Sequence, residues 1–284
     1  VLERLRYRWR GDALELKTLR KLASLYFGER KWQPGLKTLR VATQNFVGQE
    51  QAHAAQDDMR AAFANLFIKG GADKLPPVES LSIFYDNIDL TPIGADGDDM
   101  IRRMVDRLVA VDLLAPAAKL LSYQVENRLD GVAKAQVSTK LAAIYLMDHK
   151  PDRALVAISG SRQPNMPQAL QADRRILEAR ALLDLGRLDG AAELVERDRS
   201  EDAQRVRAEA AWRARDWQRA AVELRSLMAM RNRSQPLDEH GRQVVLRAGV
   251  ALTLAGDEPG VQALYREYAG DMANTPEADA FEIV

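Results

Sequence analysis

The chain has 284 residues and equal numbers of basic and acidic side chains, 41 of each, so its formal charge at pH 7 is zero. This balance removes the simplest argument for a nucleic-acid partner, which needs a basic excess, and gives no sign of an acidic tail. Because the sequence has no cysteine, disulfides, zinc–thiolate sites and thiol nucleophiles are excluded. No apolar run reaches the roughly 18 residues that a membrane-spanning helix needs.

The lack of cysteine fits a bacterial envelope protein that avoids stray oxidation, and it fits a cytoplasmic protein almost as well. We predict a periplasmic location, with the cytoplasm as the close alternative. The sequence begins Val1-Leu2-Glu3-Arg4, without an initiator Met and without the apolar core of a signal peptide. We therefore interpret the chain as a piece of a longer protein.

Helix signals start at the beginning of the chain. Residues 1–10 alternate arginine with apolar side chains, and we interpret them as the end of a helix from a preceding repeat. A first hairpin is predicted over 12–48. Its first helix runs from a stop and cap at Gly11-Asp12 to about Phe27, with apolar residues at helical spacing. Its second helix begins near Trp32, where a nearby proline suits a first helical turn.

Residues 49–97 are predicted to form an irregular, degenerate repeat. A long helix over 49–70 ends at Gly70-Gly71, and a second helix begins at Pro76-Pro77. The turn-rich segment 91–98 is predicted to be a loop.

Stacked hairpins are predicted over 98–272. Asp98 or Asp99 is expected to cap the first of these helices. Further helices are predicted at 116–128, 131–147, 151–158, 168–185, 188–197 and 201–213. A loop at 232–236 precedes the last hairpin, and the tail over 273–284 is expected to be frayed.

A small residue recurs about every 37 residues in the same local setting. It occupies Gly35, Ala117, Ala154, Ala191, Ala220 and Gly260. Small or apolar residues lie twelve and nine positions before it, and an aliphatic residue lies four positions after it. A period of this size is typical of helical-hairpin solenoids. A small side chain lets two antiparallel helices approach at their crossing, and neighbouring pairs must stack because no single pair buries its apolar face alone.

Three stretches resemble the tetratricopeptide repeat family. They are Leu22-Ala23-x-x-Tyr26 with Gly35, Leu39 and Ala42; Leu141-Ala142-x-x-Tyr145 with Ala154; and Ala179 with Leu185-Gly186-Arg187-Leu188 and Ala191. The similarity covers 13–48 and 100–270. It implies an all-α, right-handed superhelical solenoid of about six or seven antiparallel helix hairpins, forming a single array over 1–284. The chain is also similar to the C-terminal helical region of large bacterial envelope proteins.

The sequence departs from the family pattern in spacing and in motif. Apart from the 82 residues between Gly35 and Ala117, about two periods, the spacing varies from 29 to 40 residues where the family holds at about 34. The closing proline is mostly absent, and the peptide-clamping Asn and Lys positions are not recognisable. These departures favour a divergent structural array over a clamp for a peptide carboxylate.

No motif predicts catalysis, a cofactor or a metal site. The acidic run Asp96-Gly97-Asp98-Asp99 lacks the late glutamate of a calcium loop, and we interpret its acids as residues at a helix N-terminus. His53, His149 and His240 lie far apart and form no metal-binding pair. Ser159 lacks the G-x-S-x-G frame and the preceding strand of a nucleophile turn. We therefore predict that the chain is not an enzyme.

Charge is unevenly distributed along the chain. Residues 1–40 hold 11 basic and 4 acidic side chains, whereas residues 50–112 hold 6 and 12. The basic segment also carries aromatic residues and could bind an acidic partner or an anionic surface. The simpler interpretation is a solvated helix face, since arginine stems often cover apolar surface. The same two interpretations apply to the arginine-dense stretch from Arg205 to Arg219.

These features predict a non-catalytic protein–protein interaction scaffold or adaptor within a larger, bacterial envelope-associated protein. We expect the first helix of each hairpin to form the binding face. The expected exposed contact residues are Arg20, Lys140, Arg175 and Arg207. Two alternatives stay open: a helical accessory domain of a cell-wall-active enzyme, and a homo-oligomeric component of an envelope or motility complex. A carboxylate pair in a cleft would indicate the first, and oligomers in solution the second.

Overall fold

The computed structural model describes residues 13–45, 50–231 and 235–283. In that part of the chain it contains fifteen α-helices and no strand, which confirms the all-α prediction. The chain divides into two compact units, Val1–Arg128 and Leu129–Val284. The interpretation of residues 1–10 and the cap predicted at Asp12 lie outside the described residues.

The first unit contains six helices in its described part. They are α1 (Ala13–Gly28), α2 (Trp32–Asn45), α3 (Glu50–Phe67), α4 (Pro77–Asp86), α5 (Ala95–Ala110) and α6 (Leu114–Asn127). Short 3₁₀ turns at Gly71–Lys74 and Ile88–Leu90 flank α4. Helix α1 packs against α2, α2 against α3, and α5 against α6. The helices predicted around the double glycine and the double proline are confirmed.

Aromatic side chains fill the core of the region whose repeat pattern is lost. Phe63 and Phe67 on α3 meet Phe84 on α4, with ring centroids 4.7 to 5.5 Å apart. All three side chains are buried. Aromatic rings bury more apolar area than other side chains. The contacts among three phenylalanines therefore form a core in a region that lacks the recurring small residue.

Helix α5 begins earlier than the sequence predicts. It starts at Ala95 after Gly94, so the cap predicted at Asp98 or Asp99 is wrong. Gly97 lies in the first turn, where a Cβ atom would collide with the Pro92 carbonyl oxygen. Glycine is therefore needed for close approach of the turn to the preceding loop. The sequence pattern of residues 91–98 predicts a loop because it contains no sign of the contact between Gly97 and Pro92, which forms only in the folded chain.

The second unit contains nine helices in its described part. They are α7 (Gly131–Met147), α8 (Pro151–Ser159), α9 (Gln168–Asp184), α10 (Leu188–Leu194), α11 (Glu201–Arg213), α12 (Trp217–Ala229), α13 (Glu239–Ala255), α14 (Glu258–Met272) and α15 (Ala278–Ile283). Consecutive helices pack as the pairs α7–α8, α9–α10, α11–α12 and α13–α14. The first helices also contact one another, α7 with α9 and α9 with α11. The predicted helix positions are confirmed to within a few residues.

The small-residue register is buried in all six of the paired helices that carry it. Its six members, Gly35, Ala117, Ala154, Ala191, Ala220 and Gly260, are all buried. The aliphatic residues four positions later are also buried: Leu39, Leu121, Ile158, Val195, Leu224 and Leu264. Residues twelve positions earlier are buried in the same way. The register is therefore a pattern of buried positions.

The same turn closes the first helix of six pairs. In each turn two backbone N–H groups donate to carbonyls five and three residues earlier, for example Lys150 to Tyr145 and His149 to Leu146. This is the Schellman arrangement, which places one residue in the left-handed region. That residue is glycine only at Gly186 and Gly256; elsewhere it is Arg30, Asp112, His149 or Arg215. In the other five turns, the first of these carbonyls belongs to the residue nine positions before the small register residue. In the last turn that residue would be Ala251, but Asp257 donates to the next one, Leu252.

The C-terminal segment is folded back onto its unit. Fraying was expected after Met272, but α15 forms there and Phe281 is buried. Its ring stacks on Tyr265 with centroids 5.6 Å apart. Arg242 Nε also donates to Glu277 Oε2 at 2.6 Å. One aromatic anchor and one ion pair thus order a segment that has little helix signal of its own.

Candidate functional site

The second unit contains a groove of about 500 Å³. Its lining residues lie mainly on the first helices of the four pairs, α7, α9, α11 and α13, with a contribution from α12. The groove is lined by Ala143, Leu146, Met147, Leu177, Arg180, Leu183, Asp184, Arg205, Val206, Ala208, Glu209, Arg213, Leu224, Leu227, His240, Val244 and Arg247. We call it the arginine groove, because four arginines stand among mostly apolar side chains.

Apolar side chains are open to solvent within this groove. Met147 is 52% exposed, and Leu146 and Leu177 are half-buried. They lie on the first helices α7 and α9, on the sides of those helices that line the groove. Exposed apolar surface with a polar rim is typical of protein-binding sites.

Glu209 lies at the centre of a charged network in the groove. It accepts from Arg213 Nε at 2.7 Å and from Arg247 Nη2 at 2.8 Å. Burial raises the pKa of Glu209, but the bonds from Arg247 and Arg213 outweigh burial and hold that pKa below its usual range. The guanidinium of Arg247 also lies 4.4 Å from the centre of the Trp212 ring. The carboxylate is therefore ionised and its arginines are fixed in position.

Further ion pairs border the network. Arg180 Nη2 donates to Asp202 at 2.6 Å, and Arg213 Nη1 donates to the Leu183 carbonyl at 2.9 Å. Arg205 binds Glu201 and contacts His240. Preformed arginine–carboxylate pairs provide directional contacts for a bound chain.

The arginines of this groove make Glu209 a poor general acid. General acid catalysis needs a carboxyl group whose pKa lies near the working pH, whereas the bonds from Arg247 and Arg213 lower the pKa of Glu209. Across the described residues, no three histidine or acidic side chains are grouped as a metal site requires. His53 and His149 are exposed, on α3 and in a turn, and only His240 lines the groove.

The first unit contains a second groove, of about 730 Å³, between α1, α2 and α3. We call it the lysine groove; it is lined by Lys17, Arg20, Lys21, Ala23, Ser24, Phe27, Trp32, Leu39, Asp58, Ala61, Ala62, Asn65 and Lys69. Arg20 Nε donates to Asp58 Oδ2 at 2.6 Å, and this bond raises the pKa of Arg20. The side chains of Phe27 and Trp32 pack together, with centroids 5.6 Å apart.

The four contact residues predicted from the sequence are not brought together. Arg20 lines the lysine groove. Lys140 is half-buried on α7 and Arg175 is exposed on α9, and neither lines either groove. The exposure expected for Arg207 is wrong, since only 6% of this residue is accessible.

Arg207 instead closes the end of the preceding helical pair. Its Nη1 donates to the carbonyls of Val195 and Asp198 at 2.6 and 2.8 Å, and its Nη2 donates to Gln204 at 2.6 Å. Arg174 binds the corresponding carbonyl one pair earlier, that of Ile158 at the end of α8, and it also donates to the carbonyl of Ala135 within α7. Carbonyls at helix ends lack partners within the helix, and a guanidinium can satisfy several at once.

Residues of the arginine groove were missed because their signal is spread over four helices. The positions that meet, such as Arg180, Glu209 and Arg247, are separated by about one repeat each. Aligning the sequences of the first helices with one another could have shown that these residues occupy similar positions, since all of them lie on the helices expected to form the binding face.

Within the described ranges, no helix combines the length and the apolarity that crossing a bilayer requires. No protein-family model matches this chain, and no curated protein matches it. The resemblance to tetratricopeptide repeats thus rests on the sequence stretches quoted above.

Proposed function

We propose that the chain is a non-catalytic scaffold that binds a segment of a partner protein in the arginine groove. The observation that carries this proposal is the open apolar floor, with Met147 half-exposed, beside fixed arginine–carboxylate pairs. Amphipathic segments bind such grooves through apolar anchors with charged flanks, and arginine is enriched where interface energy concentrates. The partner segment would place aliphatic side chains on Leu146 and Leu177 and carboxylates near Arg180 and Arg205.

The finer architecture belongs to the same proposal. A right-handed superhelix of six or seven tetratricopeptide-like hairpins would present first helices side by side, as the binding of a long segment requires. The sequential packing of helix pairs within each unit supports it. The adaptor role in a bacterial envelope protein and the periplasmic location stay predictions.

Site-specific photo-crosslinking in the native cells tests the binding proposal. A photoreactive amino acid replaces Met147 in the groove, and a matched variant replaces Val156, which is 69% exposed on α8 and outside the groove. We expect a discrete crosslinked partner from position 147 and none from 156. The partner should be lost when Leu177→Glu is added. Equal crosslinking at both positions would overturn the proposal, and crosslinks to a second copy would favour self-assembly.

A further inference from the structure

The lysine groove carries positive charge that the described part of the chain does not neutralise. Lys17, Lys21 and Lys69 line it and are exposed. None of the three forms an ion pair with another described residue. Asp58 is the single carboxylate in the lining, and it is bound to Arg20. Four cations against one anion leave the groove with an excess of about three positive charges.

Apolar side chains also line the lysine groove, whose volume is about 730 Å³. Phe27 and Trp32 are packed together in this lining. Helix α3 contributes the small side chains of Ala61 and Ala62. An aromatic surface beside exposed lysines suits a ligand that carries both apolar groups and negative charge.

The surrounding charge indicates which class of anion fits. The described residues 13–45 contain seven basic and two acidic side chains, whereas residues 50–112 contain 6 basic and 12 acidic ones. A nucleic acid contacts proteins through a long run of phosphates, which the net negative charge of residues 50–112 would repel. A bilayer surface is too flat to enter a concavity. A short acidic segment needs only the groove itself.

We infer that the lysine groove binds an acidic segment of a partner protein. Its carboxylates pair with Lys17, Lys21 and Lys69, and an apolar side chain between them packs on Phe27 and Trp32. This site extends the proposed scaffold function, but it uses other residues in another unit. It can therefore fail or hold independently of the arginine groove.

Fluorescence anisotropy with the full chain tests this inference. The probe is a labelled short peptide of alternating Glu and Leu with one central Phe; a second peptide has Gln in place of every Glu. We expect the acidic peptide to bind and the Gln peptide not to bind. The affinity for the acidic peptide should fall when NaCl rises from about 50 to about 300 mM, because salt screens exposed charges.

Charge-reversal variants locate the binding site. Lys21→Glu and Lys69→Glu, made separately, should each weaken binding about tenfold, since each exchanges an attraction for a repulsion. Lys37→Glu is the matched control, because Lys37 is exposed in the same unit and lies outside the groove. All three variants should keep the circular dichroism spectrum of the parent chain, as exposed lysines contribute little to folding.

Three results would overturn the inference. The first is equal binding of the Gln peptide, and the second is an equal loss of affinity in Lys37→Glu. The third is tighter binding of a single-stranded oligonucleotide or of phosphatidylglycerol vesicles than of the acidic peptide, which would assign the groove to another class of ligand. None of these results bears on crosslinking from Met147, so the two proposals are tested separately.

Discussion

The two units build helical hairpins with the same turn but hold them together with different side chains. In the first unit, three phenylalanines form the core of the irregular region. In the second unit, buried alanines such as Ala154 and Ala191 line the paired helices, and Arg174 and Arg207 are buried against helix-end carbonyls. A buried carbonyl needs a hydrogen-bond donor, and the two guanidinium groups supply one.

The comparison also extends to the grooves. Arginines in the second unit are fixed by carboxylates such as Glu209, whereas three lysines in the first unit have no ion-pair partner among the described residues. The fixed arginines of the second unit favour directional hydrogen bonds to a ligand. The unpaired lysines of the first unit favour an electrostatic attraction that weakens as salt is added.

The largest effect is expected from removing an aromatic ring of the first unit. Phe84→Ala should lower the free energy of unfolding by about 3–5 kcal/mol, because it leaves a cavity against Phe63 and Phe67. Hydrogen exchange with mass spectrometry would show where protection is lost. We expect the loss in peptides from α3 to α5. An equal loss of protection in α7 to α14 would show that the cores of the two units are not stabilised independently.

Arg207→Met should have the next largest effect, about 2–4 kcal/mol, because it leaves the carbonyls of Val195 and Asp198 without a donor. Arg175→Met is the matched control, since Arg175 is exposed; its effect should stay within about 0.5 kcal/mol. Urea unfolding of both variants measures the difference. Equal values would show that the buried arginine does not stabilise the second unit.

Replacing a strained turn residue should stabilise the chain. Arg215 has φ of 58°, a conformation that costs a non-glycine residue about 1 kcal/mol. Arg215→Gly should therefore raise the free energy of unfolding by up to about 1 kcal/mol, whereas Arg215→Ala should not. Gly186→Ala should destabilise the equivalent turn. A gain from Arg215→Ala as well would indicate that the arginine side chain, and not the backbone, carries the effect.

The smallest effect is a pH dependence in the arginine groove. The pKa of Glu209 in the folded chain lies below its usual value, so its contribution to stability is present above the unfolded pKa of about 4.3. It is lost as pH falls through the lower, folded pKa. Glu209→Gln should remove less than about 1 kcal/mol at neutral pH, because the site is partly exposed.

Urea unfolding at neutral pH and at about pH 3 tests this dependence. The difference between the parent chain and Glu209→Gln should shrink on acidification. Glu193→Gln, at an exposed position of α10, is the control and should show no such change. A difference that grows at low pH would contradict the sign of the shift.

The sequence alone determined the helical class, most helix positions and the buried positions of the small-residue register. Local signals sufficed for these because small residues such as Ala154 and Ala191 recur at a fixed distance from apolar neighbours, and because Pro77 and Pro151 stand where helices begin. The left-handed turn residues were less visible, since four of the six turns use a residue other than glycine.

Tertiary structure alone decided which charged residues are buried. Arg174 and Arg175 are neighbours in sequence, yet one is buried against carbonyls and the other is exposed. Likewise Gly97 is needed in the first turn of α5 because Pro92 leaves no space for a side chain, and Phe281 orders the end of the chain by stacking on Tyr265. Each outcome depends on a contact with residues outside the local segment. A local sequence pattern cannot predict which of those residues will be close in the folded chain.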